Sequence, residues 1–157
     1  MGGRPLSPEE QAAIERDMEA IVLGSHLFKS LAEAGRRDLV ESGFVMRFSA
    51  GDVVLRQGDL GDTMFLVLDG VVRVETETPG GVVQLAELKR GACLGEVSVL
   101  TRGPRTATVT AVTELTTVSF ARHRIERLLA QHPRVRELLE ALVAGRARDA
   151  VDKILGQ

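Results

Sequence analysis

Glycine falls between short apolar runs all the way from Phe44 to Phe120, and this rhythm leaves the chain few folds to choose from. Candidate strands lie at 44–48, 53–56, 64–68, 71–76, 82–88, 106–112 and 115–120. Each is rich in Val, Leu, Thr and Phe, side chains that suit a pleated, half-buried surface. Gly51, Gly58, Gly61, Gly70, Gly80-Gly81, Gly91 and Gly103 stand between them. Regular short strands with glycine turns predict a β-sandwich or a jelly-roll barrel.

Helical patterns flank this region. Ser7-Pro8-Glu9-Glu10 reads as a capped helix start, with proline at the first helical position and Glu10 completing a capping box. Ile14, Met18, Ile21 and Val22 follow at helical spacing, which predicts a helix over 8–22. Leu27, Phe28 and Leu31 form a short apolar turn, and a second helix is expected over 34–42. After the strands, Ile125, Leu128 and Leu129 mark a helix over 124–131. His132-Pro133 interrupts it, because proline disfavours helix in the preceding residue. A final helix is expected over 133–155, with one apolar stripe through Val135, Leu138, Leu139, Leu142, Val143, Ala147, Ala150, Val151, Ile154 and Leu155. That stripe can pack on the barrel, cover a ligand, or pair two copies as a homodimer.

A chain of 157 residues is long enough for one domain with a real core. One domain over 1–157 is expected: a helical segment at 1–43, the strands at 44–120, and helices at 121–157. A net charge of −2 gives no global signal for nucleic acid or an anionic membrane. The lack of Trp and Tyr removes the usual base-stacking platforms. No stretch reaches the length of a membrane span and no signal peptide is recognised, so a cytoplasmic setting is expected. A lone cysteine, Cys93 between Ala92 and Leu94, excludes an internal disulfide and suits a buried thiol. His26, His123 and His132 are not clustered as metal ligands, so no metal or cofactor is expected. No nucleophile–base pair stands out, and the chain is not expected to be an enzyme.

The chemistry concentrates in residues 95–111, Gly-Glu-Val-Ser-Val-Leu-Thr-Arg-Gly-Pro-Arg-Thr-Ala-Thr-Val-Thr-Ala. Glu96 can accept hydrogen bonds from ribose hydroxyls. Arg105, nine positions on, can fork two donors onto phosphate oxygens. Between them Val97, Ser98, Val99 and Leu100 can form one helical turn whose free amides favour an anion. A structural ion pair between Glu96 and Arg105 fits the same residues and would lower the cost of burying both.

Two separated motifs resemble one family. The first runs Phe48-x-x-Gly51-Asp52-Val53-x-Leu55-x-x-Gly58-x-x-Gly61-Asp62-x-Met64-Phe65-Leu66-Val67-x-x-Gly70. The second is Gly95-Glu96-x-x-x-Leu100 followed by Pro104-Arg105-Thr106-Ala107-Thr108-Val109. Together, in this order, they resemble the cyclic-nucleotide-binding domain of protein kinase A regulatory subunits, catabolite activator protein and cyclic-nucleotide-gated channels. The likeness extends over roughly residues 26–145. It implies an α+β fold: an eight-stranded β-roll with flanking N-terminal helices and C-terminal hinge and lid helices.

The resemblance also implies roles. Residues 95–106 correspond to the phosphate-binding cassette. Glu96 would hold the ribose 2′-hydroxyl and Arg105 the exocyclic phosphate oxygens, with the amides of Val97 and Ser98 completing the cradle after Gly95. Val74, Leu85, Cys93 and Leu94 match positions lining the purine and ribose pocket. A hydroxyl at Thr106 can bond the guanine amino group of a syn base. Several relatives with Thr or Ser there still prefer cAMP, so cAMP and/or cGMP is the implied ligand. Thr106 also fits simply as a β-branched residue opening a strand. The 24–31 segment resembles the short helical motif that shifts against the barrel. The family often supplies an aromatic base lid, but the chain after Phe120 has none, leaving Leu139, Leu142, Val143 or Arg146 as candidates.

The implied function is a sensor that moves helices on ligand binding and signals to an unidentified protein effector. The alternative is a nucleotide-independent interaction module working through helices 8–22 and 134–155. The stretch after residue 120 has no room for a winged helix, so nucleic acid is not an expected partner. A standalone receptor and an excised domain of a larger protein both fit, and the Met-Gly-Gly start leans towards the former.

Overall fold

The structure, a computed structural model, describes residues 43–155 continuously, together with 7–9, 12, 13, 16, 34, 35, 37 and 41. Eight strands form two four-stranded antiparallel sheets. They are β1 (Phe44–Phe48), β2 (Val53–Leu55), β3 (Thr63–Asp69), β4 (Val72–Thr78), β5 (Gly81–Leu88), β6 (Cys93–Leu94), β7 (Thr108–Ala111) and β8 (Leu115–Ala121). One sheet has the order β1-β8-β3-β6 and the other β2-β7-β4-β5. Among the continuously described residues three helices accompany them: α1 (Glu96–Thr101), α2 (Arg122–Gln131) and α3 (Pro133–Leu155). This is the expected α+β roll.

The seven strands expected from the pattern all form, with ends shifted by up to two residues. The eighth, β6, is two residues long, too short to show an alternating pattern, and it pairs Leu94 with Phe65 and Cys93 with Leu66. Helix α2 begins at Arg122, two residues earlier than expected, where the Arg122 N–H bonds the Asp62 carbonyl at 2.6 Å. The described residues at 8, 9, 12, 13, 16, 34, 35, 37 and 41 are helical, in line with helices over 8–22 and 34–42. The apolar turn at 24–31 lies outside the described residues.

β3 explains how the layers meet. Its sequence, Thr-Met-Phe-Leu-Val-Leu-Asp, shows no polar alternation because neither face meets water. Phe65 and Val67 point between the sheets, where Phe48, Leu55, Val72, Leu94, Val109, Ala111 and Leu115 join them. Phe48 and Phe65 meet edge to face, with centroids 6.3 Å apart. Met64, Leu66 and Leu68 point the other way, into a second core with Val118, Phe120, Val99 and the helix residues Ile125, Leu128, Leu129, Val135 and Leu139. Two buried hydroxyls on β8 are satisfied across the sheet edge: Thr117 donates to the Met46 carbonyl at 3.0 Å and Ser119 to the Phe44 carbonyl at 3.1 Å.

The stripe on α3 divides in two. Val135 and Leu139 are buried in the helix-side core, with Leu138 and Leu142 packed against it. Beyond Leu142 the helix passes over the β4–β5 sheet and an open cavity, and Val151 and Leu155 are exposed. One continuous stripe therefore serves two surfaces.

Cys93 is fully buried, and burial pushes its thiol from an ordinary 9.0 up to about 12. The Glu96 carboxylate adds to this shift and the Arg146 guanidinium opposes it. The folded value lies above the unfolded one, so the folded chain keeps its proton where an unfolded chain loses it. Iodoacetamide at mildly alkaline pH should label the urea-unfolded chain and spare the folded one, as mass spectrometry will show. Phe120→Ala empties a fully buried site and should cost about 3–5 kcal/mol, read from urea denaturation.

Candidate functional site

A cavity of about 510 Å³ opens between the β4–β5–β7 side of the roll, the β6–α1 turn, and α3. Of the ten residues expected at the site, nine line it: Val74, Leu85, Leu94, Gly95, Glu96, Val97, Ser98, Arg105 and Thr106. Cys93 does not. Strand alternation sends Leu94 between the sheets and the Cys93 side chain into the helix-side core. Only the Cys93 backbone takes part near the site, its carbonyl accepting a bond from Arg146 Nη1 at 2.7 Å.

The turn into α1 depends on Gly95. Its φ of +81° is left-handed, and a Cβ there would lie 2.8 Å from both the Thr63 carbonyl and Arg105 Nη1. Gly61 is needed for space instead, since a Cβ would sit 2.6 Å from Arg105 Nη2. Two glycines thus make room for one guanidinium. Arg105 is 7 % exposed, and it donates to the Thr63 carbonyl at 2.9 Å and the Gly95 carbonyl at 3.4 Å. Its backbone is fixed as well: the N–H bonds the Asp59 carbonyl and the carbonyl accepts from Gly58, both at 2.8 Å. Burial lowers the guanidinium from its ordinary value, Asp62 and Glu96 oppose that, and Arg122 adds to it. Arginine nevertheless keeps its charge, and two of its five donors are used.

Glu96 opens α1 and is 3 % exposed. The structural ion pair with Arg105 that the sequence also allows is not formed. Arg146 of α3 reaches Oε1 instead, while Oε2 accepts no bond among the described residues. The physical reason lies in reach: the carbonyls of Thr63 and Gly95 hold the Arg105 fork, while α3 brings a half-exposed cation directly over the carboxylate. Ser98, 1 % exposed, follows two residues on within the first turn, and the amides of Val97 and Ser98 have no intrahelical acceptor. The cavity floor is apolar, with Leu55, Val74, Leu88 and Val109, while Thr76 and Thr106 add hydroxyls. The Thr76 hydroxyl bonds the Thr106 carbonyl at 3.3 Å.

Of the four lid candidates, Val143 and Arg146 face the cavity. Leu139 is buried in the helix-side core and Leu142 packs against it. Sequence reasoning missed the polar lining of α3. Asp149 and Lys153 stand there beside Ala147, Ala150 and Ile154, and Lys153 Nζ bonds the Leu85 carbonyl. A signal was present: Arg146, Asp149 and Lys153 recur at spacings of three and four, one edge of the apolar stripe. Among the described residues no group of His, Cys, Asp and Glu could hold a metal ion, and no helix is long and apolar enough to cross a membrane.

The family described as the cyclic nucleotide-binding domain matches residues 45–132, which include the whole roll apart from Phe44, α1, and α2. The chain is 34 % identical over 128 residues to the lysophospholipase nte1 of Neurospora crassa, covering 79 % of this chain and 8 % of that protein. It is 32 % identical over 141 residues to a cAMP-dependent protein kinase regulatory subunit of Blastocladiella emersonii, covering 88 % of this chain and 34 % of that subunit. The chain therefore spans between 8 % and 34 % of the length of these relatives. Among solved structures, a cyclic nucleotide-binding domain from Methylobacillus flagellatus KT is 26 % identical, with a TM-score of 0.76 over 99 % of this chain and 86 % of its own. The sequence motifs, the eight-stranded roll and the family match agree: the chain belongs to the cyclic nucleotide-binding domain family.

Proposed function

We propose that this domain is a sensor that binds cAMP and/or cGMP in the cavity beneath α3 and passes the event to a protein effector by moving its C-terminal helices. One observation carries the reading: a carboxylate and a guanidinium, both almost fully buried, line one cavity and both have hydrogen-bonding capacity left over. Buried polar groups with spare capacity are costly, and a ligand with matching groups recovers that cost. Glu96 Oε2 suits a ribose hydroxyl, and the unused donors of Arg105 suit a cyclic phosphate. The amides of Val97 and Ser98 add donors on the phosphate side, with Gly95 allowing the close approach. Val74, Leu85 and Leu94 supply apolar wall for ribose and purine. The cavity falls within the roughly 300–1,000 Å³ typical of small-molecule sites.

No bond needs to break in this reading. A ligand changes the position of α3 only through higher affinity for one arrangement than for another. Arg146 holds Glu96 with α3 in place, so any movement of this helix changes what Glu96 can offer. Thr106 lines the cavity, and a hydroxyl at this position suits a guanine amino group.

The test is calorimetric titration with cAMP and then cGMP. Micromolar or tighter binding is expected with at least one, and the ratio of affinities names the messenger. Arg105→Ala should weaken binding by about 3 kcal/mol, roughly a hundredfold, through loss of a charge-assisted pair to phosphate. Glu96→Gln keeps the shape and should weaken binding less. An Arg105→Ala variant that binds as the parent does would sink the proposal.

A further inference from the structure

Arg102 is the one non-glycine residue with positive φ among the described residues. It caps the C-terminal end of α1 at φ 60° and ψ 15°, a left-handed conformation that costs an L side chain energy. Asparagine or glycine would stand there more easily. The side chain gives the position a use. Arg102 Nη2 reaches both carboxylate oxygens of Glu126 on α2, at 2.7 and 2.8 Å.

The other links between α1 and its surroundings differ in kind. Val99 and Leu100 meet Ile125 and Leu128 through apolar contact, which attracts without fixing a register. Arg122 Nη2 bonds the Ser98 carbonyl at 3.3 Å, but it also bonds the Gly61 carbonyl at 3.2 Å, so it follows the roll as much as the cassette. Among the described residues, Arg102–Glu126 is the directional link that joins the cassette to α2 without involving the roll. Both side chains are well exposed, 66 % and 39 %, so the pair adds little to global stability.

We infer that Arg102 is a positioning residue: it touches no ligand, and it ties the end of the cassette to α2 so that the two move together. A strained backbone offset by a surface ion pair is poised, because modest displacement of either partner releases both. The role in signalling rests on the nucleotide-binding reading above; the tether itself does not.

Charge reversal tests it. The variants are Arg102→Glu, Glu126→Arg, and the two together. In the ligand-free chain, hydrogen exchange of amides 99–103 should quicken roughly five-fold in each single variant and return to the parent rate in the double reversal. Exchange unchanged in the single variants, or no return in the double, overturns the tether. For the coupled motion, spin labels go at the exposed positions Val82 and Ala130, each replaced by Cys, with Cys93 buried. Addition of cAMP or cGMP should change this distance in the parent. Glu126→Arg, at a residue that does not line the cavity, should still bind within about threefold and lose most of the change, and the double reversal should recover it. A Glu126→Arg variant that binds and moves as the parent does overturns the coupling. A parent that takes neither nucleotide fails the binding reading instead, and the exchange measurement then decides the tether alone.

Discussion

A guanidinium buried at the junction of three segments organises this domain. Arg105 needs acceptors and space, and the chain provides both from distant positions: carbonyls at Thr63 and Gly95, and missing side chains at Gly61 and Gly95. Its backbone in turn closes the 58–59 turn through two hydrogen bonds. The residue is therefore part of the architecture as well as of the cavity. Burying a cation is expensive unless its donors are occupied. Here the Thr63 and Gly95 carbonyls occupy two of those donors, so the same contacts that bury the cation also fix its position.

The two sides of the cavity have different mechanical characters. The roll side is fixed by ladder bonds and by packing on both faces of β3. The α3 side is held over the cavity by few bonds, chiefly Arg146 to Glu96 and to the Cys93 carbonyl, and Lys153 to the Leu85 carbonyl. Segments with few buried contacts are those from which moving parts are drawn. The first half of α3, anchored by Val135 and Leu139, belongs to the rigid side.

Much of this was legible in the sequence, for physical reasons. Glycine spacing and β-branched runs marked seven strands because turn geometry and pleat are local properties. Glu96 and Arg105 stood out because few structural roles call for that pair framed by Gly and Pro. What the sequence left open shares a cause: it concerns contacts between segments far apart in the chain. Cys93 and Leu94 are neighbours with similar surroundings in the chain, and only the pairing of β6 with β3 decides which faces the cavity. The partner of Glu96 lies fifty residues away, and nothing local to Glu96 favours Arg146 over Arg105. Arg102 carried no signal until its backbone angle was visible.

β3 has a consequence beyond packing. Phe65 and Val67 belong to one core, Met64, Leu66 and Leu68 to the other, and all five are on a single strand. Peeling the helices away wets one side of that strand, and opening the roll wets the other. Damage to either layer is therefore felt at once by its neighbour, and the domain has no half-dismantled form in which β3 keeps both sides covered.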